Sequence, residues 1–184
     1  MGSVIVLLVI IVFYEVYKRY LKPVMSRDTD HSALDKTLSK LSDKEYTVLH
    51  NSSKWYLIVS VYGIFVLNVM SYTGWITGNE NSKQWTVTGK ESLQFDNPLF
   101  ENEKVMENIK KLLKERYVPV YSLVVFPDNT RLHVEAFDAS VIQYRGLSNE
   151  IQRYSANAVM PVSQMHELVT LVNHSVIEWP RIPA

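Results

Sequence analysis

Three short runs constrain this chain more than anything else in it: Trp55–Ser60 (WYLIVS), residues 63–70 (GIFVLNVM) and Val120–Phe126 (VYSLVVF). Each is almost wholly apolar, rich in β-branched and aromatic residues, and too short for an isolated helix, so each reads as a strand. The third has the pattern of a central strand buried on both faces. Val61-Tyr62-Gly63 leaves room only for a tight connection, which makes the first two runs a β-hairpin.

The other elements follow from periodicity and punctuation. Leu34, Leu38 and Leu41 fall at i, i+4 and i+7, a helix stripe with Thr29 or Asp30 as its cap. Residues 46–49 add a strand, and residues 75–76 and 84–87 a small hairpin across Gly78-Asn79-Glu80-Asn81. Asn97-Pro98 is a cap followed by proline at the first helical position, and Val105, Ile109, Leu112 and Leu113 give the next helix its apolar face. Pro119 stops it. Residues 132–137 form a weaker strand, and Ser163 caps a last helix carrying Met165, Leu168, Val169 and Val172. The order predicts an α/β domain over residues 33–184, with one mixed central sheet flanked by helices.

Composition narrows the chemistry. The 184 residues include no cysteine, which excludes disulfides, thiolate metal sites and a cysteine nucleophile. Of 19 basic and 19 acidic residues, Lys18, Arg19, Lys22, Arg27 and Glu15 fall in residues 1–27, which leaves 15 basic and 18 acidic groups, net −3, in the remainder. That is a poor footprint for gripping phosphates.

Residues 4–14 (VIVLLVIIVFY) are uninterrupted apolar or aromatic, unlike an amphipathic core helix. Tyr14, Tyr17 and Tyr20 stand where an aromatic belt would, and the basic residues follow them. Residues 1–22 are therefore expected to be a transmembrane anchor, with residues 23–32 as juxtamembrane linker. The helix is short, about 25 Å from residue 1 to 17 against a hydrocarbon core of ~30 Å, and needs bilayer thinning or snorkelling to span. By the positive-inside rule the protein is a single-pass component of the cell membrane, its domain facing the cytoplasm. Charge after rather than before the apolar run argues against a cleaved signal, and Val6 breaks the myristoylation pattern. On that expectation the N-x-[ST] matches at Asn51 and Asn173 carry no sugar.

A set of landmarks remains: Tyr46-Thr47-Val48-Leu49-His50, the strand residues 60–67 (SVYGIFVL), Tyr72-Thr73-Gly74-Trp75-Ile76-Thr77-Gly78, Trp85, Phe95-Asp96-Asn97-Pro98-Leu99, Asn102 and Val124-Val125-Phe126. In order and spacing these resemble the nuclease-related domain (NERD) family, over about half of the chain. The resemblance implies a restriction-endonuclease-like fold and cleavage of phosphodiesters with magnesium or manganese. It also implies an aspartate in the first hairpin strand and an E-x-K pair in the second, whose two side chains share one face of the sheet. The carboxylates would hold the cation and the lysine would steady developing charge. Laid on that pattern, the aspartate position falls on Trp55, the glutamate on Asn68 and the lysine on Met70; a helix glutamate falls near His31, and the glutamine after N-P-L falls on Glu101. All three site positions have lost their charge. Trp55 would fill the ion's place with an indole, and Met70 would pack against that ring.

The expectation is a catalytically degenerate domain without a metal or other cofactor, acting by binding protein or DNA. Alternatives are an active nuclease using magnesium or manganese in a rearranged site with Glu101, Asp96 or Glu135, and a structural subunit of a membrane assembly. Candidate binding residues are Lys110, Lys111 and Lys114, which read equally as a solvated last turn beside Glu103, Glu107 and Glu115. Trp55, Tyr56, Trp75 and Trp85 are candidate base-stacking platforms that read equally as core. His133, Glu135 and Phe137 share one face of a strand whose other face is Leu132, Val134 and Ala136, the pattern of a half-exposed sheet.

Overall fold

The computed structural model describes residues 32–41, 44–50, 54–89, 92–114, 116–137 and 140–175. The expected anchor, residues 23–31 of the expected linker (His31 among them) and Asn51 lie outside them, while Ser32, the linker's last residue, begins the first helix. Among the described residues no helix is long and apolar enough to cross a membrane.

The elements run in the order α1 (Ser32–Leu38), β1 (Tyr46–His50), β2 (Trp55–Ser60), β3 (Gly63–Val69), β4 (Trp75–Asn79), β5 (Gln84–Thr88), β6 (Ser92–Asp96), α2 (Pro98–Leu113), β7 (Val120–Phe126), β8 (Arg131–Glu135), β9 (Ser140–Gln143), a 3₁₀ turn (Tyr144–Gly146), α3 (Leu147–Tyr154) and α4 (Val162–His174). The three apolar runs stand side by side in a five-stranded sheet ordered β1-β2-β3-β7-β9. β1, β2 and β3 are antiparallel, while β3, β7 and β9 are parallel. Every residue of β2 and β3 is buried, because both faces of this sheet are covered. Trp55, Leu57, Val59, Ile64 and Val66 meet Val105 and Ile109 of α2 and Met165 and Leu168 of α4 on one face. Tyr56, Ile58, Phe65, Leu67 and Val69 meet Leu34 and Leu38 of α1 and Leu147 and Ile151 of α3 on the other.

The hairpin turn at Val61-Tyr62 is closed by Ser60, whose hydroxyl donates to Gly63 O at 2.9 Å and accepts the Tyr62 amide at 3.1 Å. α2 starts as its sequence dictates: Asn97 Oδ1 accepts the Leu99 amide at 2.9 Å, and Pro98 occupies a position whose N–H would be unpaired anyway.

Strand pairing departs from the single sheet expected. β4, β5, β6 and β8 form a second sheet, ordered β6-β5-β4-β8, in which β4 and β8 are parallel and the rest antiparallel. Its inner face, with Ile76, Trp85, Val87 and Phe95, packs against Met70, Val124 and Phe126 at the end of the first sheet and Leu99 in the first turn of α2. Gly74 makes the turn into it: φ is +125°, and a Cβ there would sit 2.7 Å from Thr88 O. Periodicity identifies strands but not their partners, so the division is invisible in the one-dimensional pattern. Three elements exceed the expectations. β6 buries only Phe95 and β9 is four half-buried residues, so neither alternates clearly. α3 carries Leu147, Ile151 and Tyr154 at helical spacing but has no side-chain cap. Ser163 is not the cap of α4, since Pro161 holds that position and Ser163 lies one residue inside the helix.

Candidate functional site

Register brings two of the positions that the resemblance aligns with catalytic residues opposite each other. Trp55 and Asn68 are direct cross-strand partners on β2 and β3. Asn68 lies two residues beyond Val66 and so shares its face, toward α2. Met70, two further on, donates its amide to Val125 O at 2.8 Å. The expected E-x-K geometry is therefore present in the backbone, but the side chains close it: Trp55 is 1% exposed, Asn68 0% and Met70 6%. Met70 does not join Trp55, contrary to expectation. It extends past the end of β2 and packs instead with Trp85, Phe95 and Phe126, while Trp55 packs with the residues under α2 and α4.

Above Asn68 sits the first turn of α2. The Asn68 amide nitrogen lies 3.1 Å from Glu101 Oε2 and 3.5 Å from Pro98 O. Both neighbours are acceptors, so the amide presents its NH2 to them and its carbonyl oxygen is left buried with no hydrogen-bond partner. Glu101 Oε2 also accepts from Lys54 Nζ at 2.7 Å, with the two side chains 17% and 16% exposed. The ammonium stands 5.5 Å from the Trp55 ring centroid. Lys54 thus brings a positive charge to the same carboxylate oxygen that Asn68 meets. Sequence reasoning missed it, because a contact across 47 residues leaves no local signal. Tyr72, stacked on Phe95 at 4.3 Å, has its pKa raised first by burial, then by the negative charges of Glu101 and Asp96.

These residues do not fit the divalent ion that the resemblance implies. Magnesium and manganese call for several oxygen ligands, some of them anionic. Here one carboxylate is engaged by an ammonium and an amide, and the remaining family positions offer an amide, an indole and a thioether. Among the described residues no three His, Asp or Glu side chains come close enough to share an ion. Of the residues named for a rearranged site, Glu135 is exposed on β8, in the second sheet, whereas Asp96 and Glu101 both lie near enough to Tyr72 to act on it.

The other candidates scatter. Lys110, Lys111 and Lys114 are exposed at the far end of α2, nine to thirteen residues past Glu101 and therefore about 14–20 Å along the helix. Of the aromatic platforms, Trp55, Tyr56 and Trp85 belong to the core, and only Trp75 is open. Arg131, His133 and Glu135 are exposed and Leu132 and Val134 half-buried, the alternation expected for that strand.

Asn97 and Asn102 hold the frame. The Asn97 amide donates to Ser82 O at 2.8 Å and Glu80 O at 3.0 Å, which pins the β4–β5 turn to the start of α2. Asn102, fully buried, donates to Ser122 Oγ at 2.8 Å and Leu123 O at 3.2 Å, which ties α2 to β7.

A mixed α/β domain with two mixed sheets flanked by helices is the class this geometry defines. The nuclease-related domain family matches residues 29–127, more than half of the chain, and the protein belongs to that family. It is also similar to an uncharacterized protein of Bacillus anthracis, 26% identical over 191 residues that cover 96% of this chain and 89% of that one. No solved structure matches it.

Proposed function

We propose that this protein is a membrane-anchored, catalytically degenerate member of the family, with a restriction-endonuclease-like fold, that works by binding nucleic acid or protein and not by hydrolysis. One observation carries the reading: the positions that hold the family's acidic and lysine side chains are filled by Trp55, Asn68 and Met70, all buried, and the nearest α2 carboxylate is paired with Lys54. A site with so little free negative charge has weak affinity for a hard cation. Frameworks kept without their chemistry remain available as interaction surfaces. The apolar residues 4–14 and the basic residues after them support attachment to the membrane from the cytoplasmic side.

The test is incubation of the full chain, in detergent, with supercoiled and linear DNA plus magnesium or manganese. DNA retention without cleavage, or neither, is expected. Cleavage that disappears in Glu101→Gln overturns the reading. Membrane fractionation with and without residues 1–22 tests the anchor, and a fully soluble full-length product refutes it.

A further inference from the structure

We infer that the outer face of the second sheet is a binding site for single-stranded nucleic acid, with Trp75 as the stacking platform; the inference rests on the nucleic-acid arm of the proposed function. Trp75 lies on β4, an interior strand, yet it is 47% exposed, whereas Trp55 and Trp85 fill the core. Its neighbours on β8 hold it in place. Arg131 is its direct cross-strand partner, with the guanidinium 5.0 Å from the ring centroid. His133 stacks on it at 5.2 Å with 6° between the planes. The backbone fixes this arrangement, because the Arg131 amide donates to Gly74 O at 2.7 Å.

The surroundings select the ligand. On the other side Trp75 is paired with Thr88, and the next row carries His133, Thr77 and Thr86. A protein hot spot centres on packed apolar anchors, and this ring has polar neighbours on both flanking strands. A nucleobase asks for an exposed aromatic ring, hydrogen-bonding groups beside it and a cation for its phosphate, which is what Trp75, the threonines and Arg131 supply. Duplex DNA is the poorer fit. Its binding rests on neutralising many phosphates, but Arg131 is the permanent cation of these two rows and residues 28–184 are net negative. Stacking on an unpaired strand needs far less charge. Glu135 lies exposed at the far end of β8, away from the Arg131 row.

The experiment measures binding of the full chain, in detergent, to a fluorescent oligothymidylate by anisotropy, across a salt series. Trp75→Ala is expected to weaken binding about tenfold or more, with Trp75→Phe recovering much of the loss. Arg131→Ala is expected to flatten the slope of log K against log salt by about 0.7. A duplex of the same length should bind more weakly than the single strand. Oligonucleotide binding that Trp75→Ala leaves unchanged overturns this site while leaving the proposed function standing. Absence of binding to every oligonucleotide overturns both this inference and the nucleic-acid arm of that function.

Discussion

Lys54 Nζ lies 2.7 Å from Glu101 Oε2, so the α2 carboxylate that stands beside Asn68 is matched by an ammonium from the edge of β2. Asn68 donates to the same oxygen. The metal chemistry that the resemblance implies would need that region to be anionic and open to an ion. Here it is nearly neutral, and Trp55, Asn68 and Met70 are buried.

Removing one partner of this pair leaves a largely buried charge short of its strongest contact. Lys54→Met and Glu101→Gln should each cost about 1–3 kcal/mol of folding stability. In a double-mutant cycle their effects should fall short of additivity by about 1 kcal/mol or more, as read from urea denaturation.

The same geometry predicts indifference to divalent cations. Magnesium or manganese should leave the thermal midpoint of the full chain where it was, because an ion that does not bind the folded state cannot stabilise it. A midpoint that climbs with manganese concentration would contradict the cation misfit.

Asn102→Ala removes the donor that satisfies Ser122 and Leu123 in a dry environment between α2 and β7. The expected loss is about 2–3 kcal/mol. Asn97→Ala should cost about 1 kcal/mol for the helix cap and more for the released β4–β5 turn, visible as faster amide exchange over residues 79–83.

Gly78 lies against the Trp85 indole, where an added Cβ would be 2.4 Å from the ring. Trp85 is fully buried and its Nε1 donates to Asn79 O at 2.9 Å, so it cannot swing aside cheaply. Gly78→Ala should destabilise the protein by about 1–3 kcal/mol, measured by thermal or urea denaturation.

Tyr144 is pushed up to about 12, chiefly by burial and then by Tyr56 and Asp128. Its folded pKa exceeds the ordinary tyrosine value of about 10, so the stabilisation is complete below pH ~10 and is lost as pH rises toward 12, at up to about 1.4 kcal/mol per pH unit. The buried hydroxyl has no hydrogen-bond partner. Tyr144→Phe should therefore be neutral or stabilising at pH 7 and should reduce the alkaline slope in pH-dependent urea melts.

Strands β1, β2, β3 and β7 of the first sheet, the cap at Asn97-Pro98 and the apolar face of α2 were legible in the sequence, whereas β9 was not. Burial on both faces writes itself as an apolar run, and a capped amphipathic helix as a polar residue followed by a stripe of period 3.6. That the resemblance sets the uncharged Trp55, Asn68 and Met70 at the family's charged positions needed no coordinates either. Folding alone decided that β4, β5, β6 and β8 form their own sheet, that Met70 packs away from Trp55, and that Trp75 faces outward while Trp85 faces inward. It also decided that Lys54 meets Glu101. Those outcomes depend on which segments become neighbours across tens of residues. Local propensity acts over a few residues at a time, so contacts of that kind leave no trace in it.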